Sequence, residues 1–169
     1  MLFRSEAGSD LGLVDAGYYA IESLRIEKGY RAWGRELTPD YTPFEAGLAF
    51  AVKLGKDIAF RGREALIAQT AKGSSRRLAV FTLDDPDTIV WGGELITRDG
   101  RPAGHLASAA YGHTLGRAVA MGYVVNDGGS ADEAFVANGR YQVDVAGVLV
   151  GAKAHLQAPY DPKALRIRG

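Results

Sequence analysis

Apolar residues recur at three- and four-residue spacing over Leu13, Ala16, Gly17, Ala20, Ile21 and Leu24, the period of a helix with one apolar face. Asp15 suits the N-cap of such a helix, and Gly29, just past Lys28, suits a left-handed stop. The stripe predicts burial of that apolar face. Gly34 to Pro43 is rich in Gly, Pro and Thr and reads as a connection. Phe44 to Val52 reads as strand-like. A second, shorter helix is predicted over Gly62 to Ala71, where Arg63, Glu64, Ala65 and Leu66 are good helix formers.

Beyond the polar linker Lys72-Gly73-Ser74-Ser75 the period falls to two. Arg77 to Leu83 alternates with strand-forming residues. Glu94 to Thr97 and Pro102 to Tyr111 flank Asp99-Gly100, a dipeptide that tolerates positive φ at both hairpin positions. Arg117 to Val125 is a further strand. Tyr141, Val143 and Val145 follow Asn138-Gly139, and Ala146-Gly147 turns the chain into Val148 to Leu156. Five or six short strands with turn signals between them predict a compact antiparallel barrel or sandwich. The fold class expected is α+β, with a small mixed α/β piece over residues 1–72 and an all-β module over 73–169.

Composition narrows the function. The chain has 169 residues, 47% of them hydrophobic, enough for a sizeable core. Twenty Lys and Arg balance twenty Asp and Glu, so the basic excess of a nucleic-acid module is absent. No apolar run approaches the roughly 20 residues of a membrane helix. With no cysteine, thiolate metal sites, disulfides and cysteine nucleophiles are excluded. A cysteine-free chain fits a reducing compartment, and a cytoplasmic protein is expected.

Little chemistry stands out by motif. His105, His113 and His155 have no metal-ligand spacing, and no metal site is expected. The chain carries no phosphate-binding glycine signature and no nucleophile elbow. Asp84, Asp85 and Asp87 around Pro86 lack the glycine and distal Glu of a calcium loop. The most informative stretch is Ile21 to Gly34, IESLRIEKGYRAWG. Tyr18, Glu22 and Arg25 share one helix face. Glu22 and Arg25 could be an ordinary surface pair contributing a few tenths of a kcal/mol. Alternatively, Arg25 near the helix end could hold a carboxylate or heteroaromatic ring with its planar fork.

SLRIEKGYRAWGREL, followed by TPFEAGLAFAVKL, FRGREAL and GHTLGRAVAMGYV, resembles the aminomethyltransferase family of folate-dependent one-carbon enzymes. That family includes the glycine cleavage T-protein and the C-terminal halves of dimethylglycine and sarcosine dehydrogenases. The resemblance runs from about Leu11 to Pro162. Trp33 in YRAWG and the closing APYDPKALRIRG are more similar to the dehydrogenase branch.

The resemblance implies that residues 1–72 end a folate-binding α/β region and that 73–169 form the family's C-terminal β-barrel. It implies tetrahydrofolate as the cofactor, accepting a one-carbon unit from a small methylated amine or aminomethyl donor. It also implies folate contacts for Arg25, in the S-L-R-x-E motif, and for Trp33; Pro43 and Glu45 are expected to be structural. The family's catalytic aspartate and a pterin-gripping glutamate lie upstream of the matching region, so no catalytic residue is assigned. Leu165 falls where T-protein relatives carry a folate-contacting tyrosine. The expectation is a C-terminal portion, inactive alone, that partners an N-terminal region of the same enzyme and allows an FAD domain further upstream. A docking module that shapes a neighbour's channel or an oligomer interface is the alternative. A folate-binding relative of the RNA-modification type is disfavoured, because its K-G-C motif has only an echo in Lys28-Gly29-Tyr30.

Overall fold

The computed structural model describes residues 2–168. A short helix, α1 (Leu2–Gly8), is followed by a single 3-10 turn and then by α2 (Tyr18–Glu27). The residue capping α2 is Gly17, and Asp15 makes no cap. At the other end the predicted stop is found. Gly29 takes φ 66°, its N–H donates to Ile26 O (2.9 Å), and Tyr30 N–H donates to Arg25 O (2.9 Å). These two bonds form a Schellman motif, which satisfies carbonyls that the helix end would otherwise leave orphaned.

The face that α2 buries is not the apolar stripe. Glu22, Ser23, Ile26 and Glu27 are buried, whereas Tyr18, Ile21 and Leu24 are exposed. Periodicity located the helix but chose the wrong side, because the buried side is held by polar bonds that a hydrophobicity pattern does not register.

Phe44 to Val52 is also not a strand. Thr42 N–H donates to the Glu45 carboxylate (2.8 Å), and Glu45 N–H donates back to Thr42 Oγ1 (3.3 Å). This reciprocal capping box coils the chain into turns ending in a 3-10 turn at Ala49–Ala51. The second helix, α3 (Arg63–Lys72), lies one residue past the expected start and end and buries none of its residues.

From Arg76 the chain is a six-stranded antiparallel barrel: β1 (Arg76–Leu83), β2 (Leu95–Arg98), β3 (Arg101–Gly112), β4 (Arg117–Val125), β5 (Tyr141–Val145) and β6 (Val148–His155). The strand order β1-β4-β3-β2-β5-β6 closes through β1 and β6, leaving no open sheet edge. Both predicted hairpin turns have positive φ at each central position: Asp99 54° and Gly100 78°, Ala146 52° and Gly147 88°.

Inward residues of alternate positions fill the barrel, among them Phe81, Leu83, Ile96, Val124 and Val143. The helix α4 (Glu133–Ala137), capped by Asp132, adds Val136 to this core. On β1 and β4 the outward residues are buried too. Leu78, Val80, Val119, Met121 and Tyr123 pack with Ile26 of α2 in a second apolar cluster outside the barrel. The strands therefore read as near-continuous apolar runs, as sheets covered on both faces do.

Register slips twice on β3: at Ala103 against β2, and between Leu106 and Ser108, where Ala107 forms a bulge against β4. Leu106 and Ala109 both face the barrel core, three residues apart, so the extra residue turns Ser108 outward. Nearby, Gly104 (φ 149°) lies so close to β4 that an added Cβ would overlap the Tyr123 carbonyl oxygen. Gly104→Ala should destabilise the chain by about 3 kcal/mol, typical of overpacking against rigid backbone. Gly128→Ala, whose methyl meets only the Asn126 side chain at 3.6 Å, should stay within about 0.5 kcal/mol. Urea unfolding of the two variants compares them directly.

Candidate functional site

The site is built where α2 and the turn after it lie on the outer face of the barrel. Four carboxylates from this segment are buried: Glu22, Glu27, Glu36 and Glu45. Glu27 accepts from Thr114 N–H (2.9 Å), Thr114 Oγ1 (3.0 Å) and Leu115 N–H (3.0 Å). It thereby anchors the end of α2 in the β3–β4 hairpin. Gly112 gives the approach its room, since a Cβ there would fall 2.9 Å from Glu27 Oε1. The G-H-T-L-G run is thus a socket for a carboxylate. Glu45 accepts from Arg76 Nε (3.1 Å) at the start of β1, and its backbone carbonyl accepts from Leu78 N–H (2.8 Å). Glu45 thereby ties the turn to the start of β1.

Glu36 occupies the centre. It is completely buried, and its Oε2 accepts from Arg25 Nη1 (2.8 Å) and Ala32 N–H (2.8 Å). Its Oε1 accepts from the Ser108 hydroxyl on β3, and its carbonyl from Tyr123 Oη (2.8 Å) on β4. Arg25 also donates Nη1 to Tyr30 O (3.0 Å) and Nη2 to Glu22. Arg35 closes the cluster by donating to Glu22 (2.9 Å). The pair read from the sequence as a surface contact or a ligand grip is a partly buried network of two carboxylates and two guanidiniums.

Electrostatics follow from this packing. Burial opposes the charge on Arg25, but its hydrogen bond to Glu22 and the field of Glu36 outweigh it and raise its pKa. The Arg25 hydrogen bond holds the Glu22 carboxyl below its usual range against partial burial, with further help from Arg35. Arg25 Nε is buried and has no hydrogen-bond partner among the described residues, an uncommon state for a guanidinium donor. Trp33 lies in the turn that Glu36 organises and is 76% exposed. Arg25 and Trp33, the two candidate residues from the sequence, are therefore joined through one buried side chain. Sequence reasoning missed Glu36, Ser108 and the Glu27 socket; a charged residue in a loop and a serine in a strand carry no spacing signal.

Residues 76–161 match the family model of the glycine cleavage T-protein C-terminal barrel domain, and residues 5–56 match that of the GCVT N-terminal domain. The chain belongs to the glycine cleavage T-protein family. Human mitochondrial sarcosine dehydrogenase is 46% identical over 164 residues, 96% of this chain and 18% of the relative. The mouse mitochondrial pyruvate dehydrogenase phosphatase regulatory subunit is 45% identical over 159 residues, covering 88% of this chain and 18% of that protein. The glycine cleavage system aminomethyltransferase T from Bartonella henselae superposes with a TM-score of 0.69 at 26% identity, over 80% of this chain and 37% of that one. The chain thus spans about a fifth of the length of the curated relatives it matches. Among the described residues, no helix is long and apolar enough to cross a membrane.

Within this family site, Arg25→Ala leaves Glu22 and Glu36 without their shared cation. Removing one partner of a buried pair costs about 3 kcal/mol, and urea unfolding at neutral pH should show it. The pH dependence gives a second signature. Because the folded Glu22 pKa is depressed, its contribution is present above its ordinary value of 4.5 and is lost as pH falls through the folded value. That acid limb should flatten in Arg25→Ala.

Proposed function

We propose that this chain is the C-terminal portion of a tetrahydrofolate-dependent aminomethyltransferase or demethylating dehydrogenase, contributing to folate binding and inactive alone. The observation that carries this reading is the fixed guanidinium of Arg25, with a spare buried donor, linked through Glu36 to the turn bearing the exposed indole of Trp33. The residues fit such a cofactor. Glu22, Glu36, Arg25 and Arg35 balance in charge, which suits a neutral heteroaromatic ring with hydrogen-bonding edges, and an exposed tryptophan offers a stacking face. Arg25 orients and Trp33 covers. When bound, tetrahydrofolate supplies the amine that accepts the one-carbon unit. The donor is a small methylated amine or aminomethyl group.

Residues 1–72 close the folate-binding region in this reading, and 73–169 form the barrel. The uncovered face of α2, with Tyr18, Ile21 and Leu24 exposed, receives the preceding region of the same enzyme, and FAD belongs to a domain further upstream. Lack of cysteine suits a reducing aqueous compartment, the cytoplasm; several relatives are named as mitochondrial.

A non-catalytic docking module is the second reading. The same uncovered face favours it, as does the high identity to a protein named as a regulatory subunit. Two measurements separate the readings. Calorimetric titration of the chain with tetrahydrofolate should be saturable, and Arg25→Lys should weaken it about tenfold, because a point charge cannot reproduce the planar fork. Unchanged affinity in that variant would sink the folate assignment. Light scattering should show self-association above the monomer mass, abolished by Ile21→Glu; a strictly monomeric chain would remove the docking argument.

A further inference from the structure

Glu36 is the one member of the Arg25 cluster with no exposed surface, and it is bonded to every part of the local structure: α2 through Arg25, the following turn through Ala32, and the barrel through Ser108. A carboxylate buried so completely costs several kcal/mol unless each oxygen is satisfied. Oε2 is satisfied by Arg25 and Ala32. Oε1 has Ser108 alone. Ser108 is itself completely buried, and it faces outward only because the Ala107 bulge shifts the alternation of β3. Gly92 packs on the same spot, where a Cβ would lie 3.2 Å from the Ala107 carbonyl oxygen and 3.3 Å from Ser108 Cα. The bulge is thus held from both sides.

Stability alone does not account for this arrangement, because an apolar pair of similar volume would do as well or better at the same place. What the carboxylate adds is direction. It fixes one edge of the Arg25 guanidinium while Glu22 fixes another, so the plane of the fork is set by two anions on different elements.

Building on the folate reading above, we propose that Glu36, oriented by the Ser108 hydroxyl of the barrel, is the positioning residue that fixes Arg25 for folate. The barrel then takes part in the folate site through the Ser108 hydroxyl, without touching the cofactor. The residue acts through Arg25 and has no contact with reacting atoms.

The test uses the whole chain with Glu36→Gln and Ser108→Ala, and with Thr114→Val as the control. Thr114→Val removes a hydroxyl from the Glu27 socket, two residues along α2 from Arg25, and so loosens the end of α2 without entering the Arg25 cluster. Nitrogen-15 NMR of the arginine side chains is read first, with no ligand present. Proton exchange at the Arg25 guanidinium should accelerate about tenfold in Glu36→Gln and in Ser108→Ala, corresponding to about 1.4 kcal/mol, and should be unchanged in Thr114→Val. Equal exchange in all four proteins overturns the proposal whether or not folate binds. Acceleration in all three variants alike overturns it too, because general loosening then suffices.

Tetrahydrofolate affinity is read second, by calorimetry, in a double-mutant cycle. Ser108→Ala should lower affinity about tenfold and have no further effect when Arg25 is already Ala, since both act through one group. Full additivity overturns the positioning role. Failure of the parent chain to bind tetrahydrofolate strikes the folate reading instead and leaves the NMR result to decide whether Glu36 positions Arg25. Should Glu36→Gln fail to fold, Ser108→Ala carries both measurements alone.

Discussion

Helix α2 is fastened to the barrel by buried carboxylates, and most of the remaining structure follows from the need to satisfy them. Glu27 at the helix end and Glu36 nine residues on are both inaccessible to water, so every oxygen must find a donor inside the protein. The β3–β4 hairpin supplies Thr114 and Leu115 to one, and the β3 bulge supplies Ser108 to the other. Glycine at 112 and a slipped register at 107 are geometric consequences of these two dockings. Ile26 between them adds apolar contact with the outer face of β1 and β4. Helix and barrel are thereby held in one relative position by directional bonds, which apolar packing alone would set less sharply.

Spending the polar side of α2 on the barrel leaves its apolar side uncovered. Tyr18, Ile21 and Leu24 face outward, and α3 has no buried residue at all. Helices of ten residues gain most of their stability from packing rather than from propensity, so surfaces of this kind belong against another body of protein. The match to about a fifth of the length of much longer relatives agrees with that expectation. The face that sequence periodicity marked as core is exposed in this chain.

The Arg25 cluster has the same economy. Arg25 is presented by a helix, stiffened by Glu22 one turn before it and by Glu36 beyond the helix stop, and oriented by a hydroxyl from the barrel. A guanidinium restrained in this way has little rotamer freedom left to lose when a ligand arrives, which is the usual advantage of a preorganised site. Charge balance within the cluster further favours a ligand recognised by shape and hydrogen-bonding edges over one recognised by net charge.

Local chemistry was legible in the sequence wherever a residue acts on its immediate neighbours. The positive-φ turns at Asp99-Gly100 and Ala146-Gly147, the left-handed stop at Gly29, the six strands and the change of period near Lys72 all depend on contacts within a few residues. The family resemblance pointed to Arg25 and Trp33 for the same reason, since both sit in one short motif. Barrel closure, by contrast, requires β1 to meet β6 across some 70 residues, and alternation within single strands cannot distinguish it from a sandwich. The buried face of α2 was misjudged because three of its four buried residues are polar, and the partners of two of them, Ser23 and Glu27, lie on β3 and in the β3–β4 turn about 90 positions away. Glu36 and Ser108 are 72 residues apart. Nothing in either local context marks them, and only the register slip on β3 brings the hydroxyl to the carboxylate. The sequence by itself determined α2, α3, the barrel strands and their hairpin turns; the tertiary structure alone decided which faces they bury and which side chains stand behind Arg25, because a hydrogen bond between distant residues leaves no periodic trace along the chain.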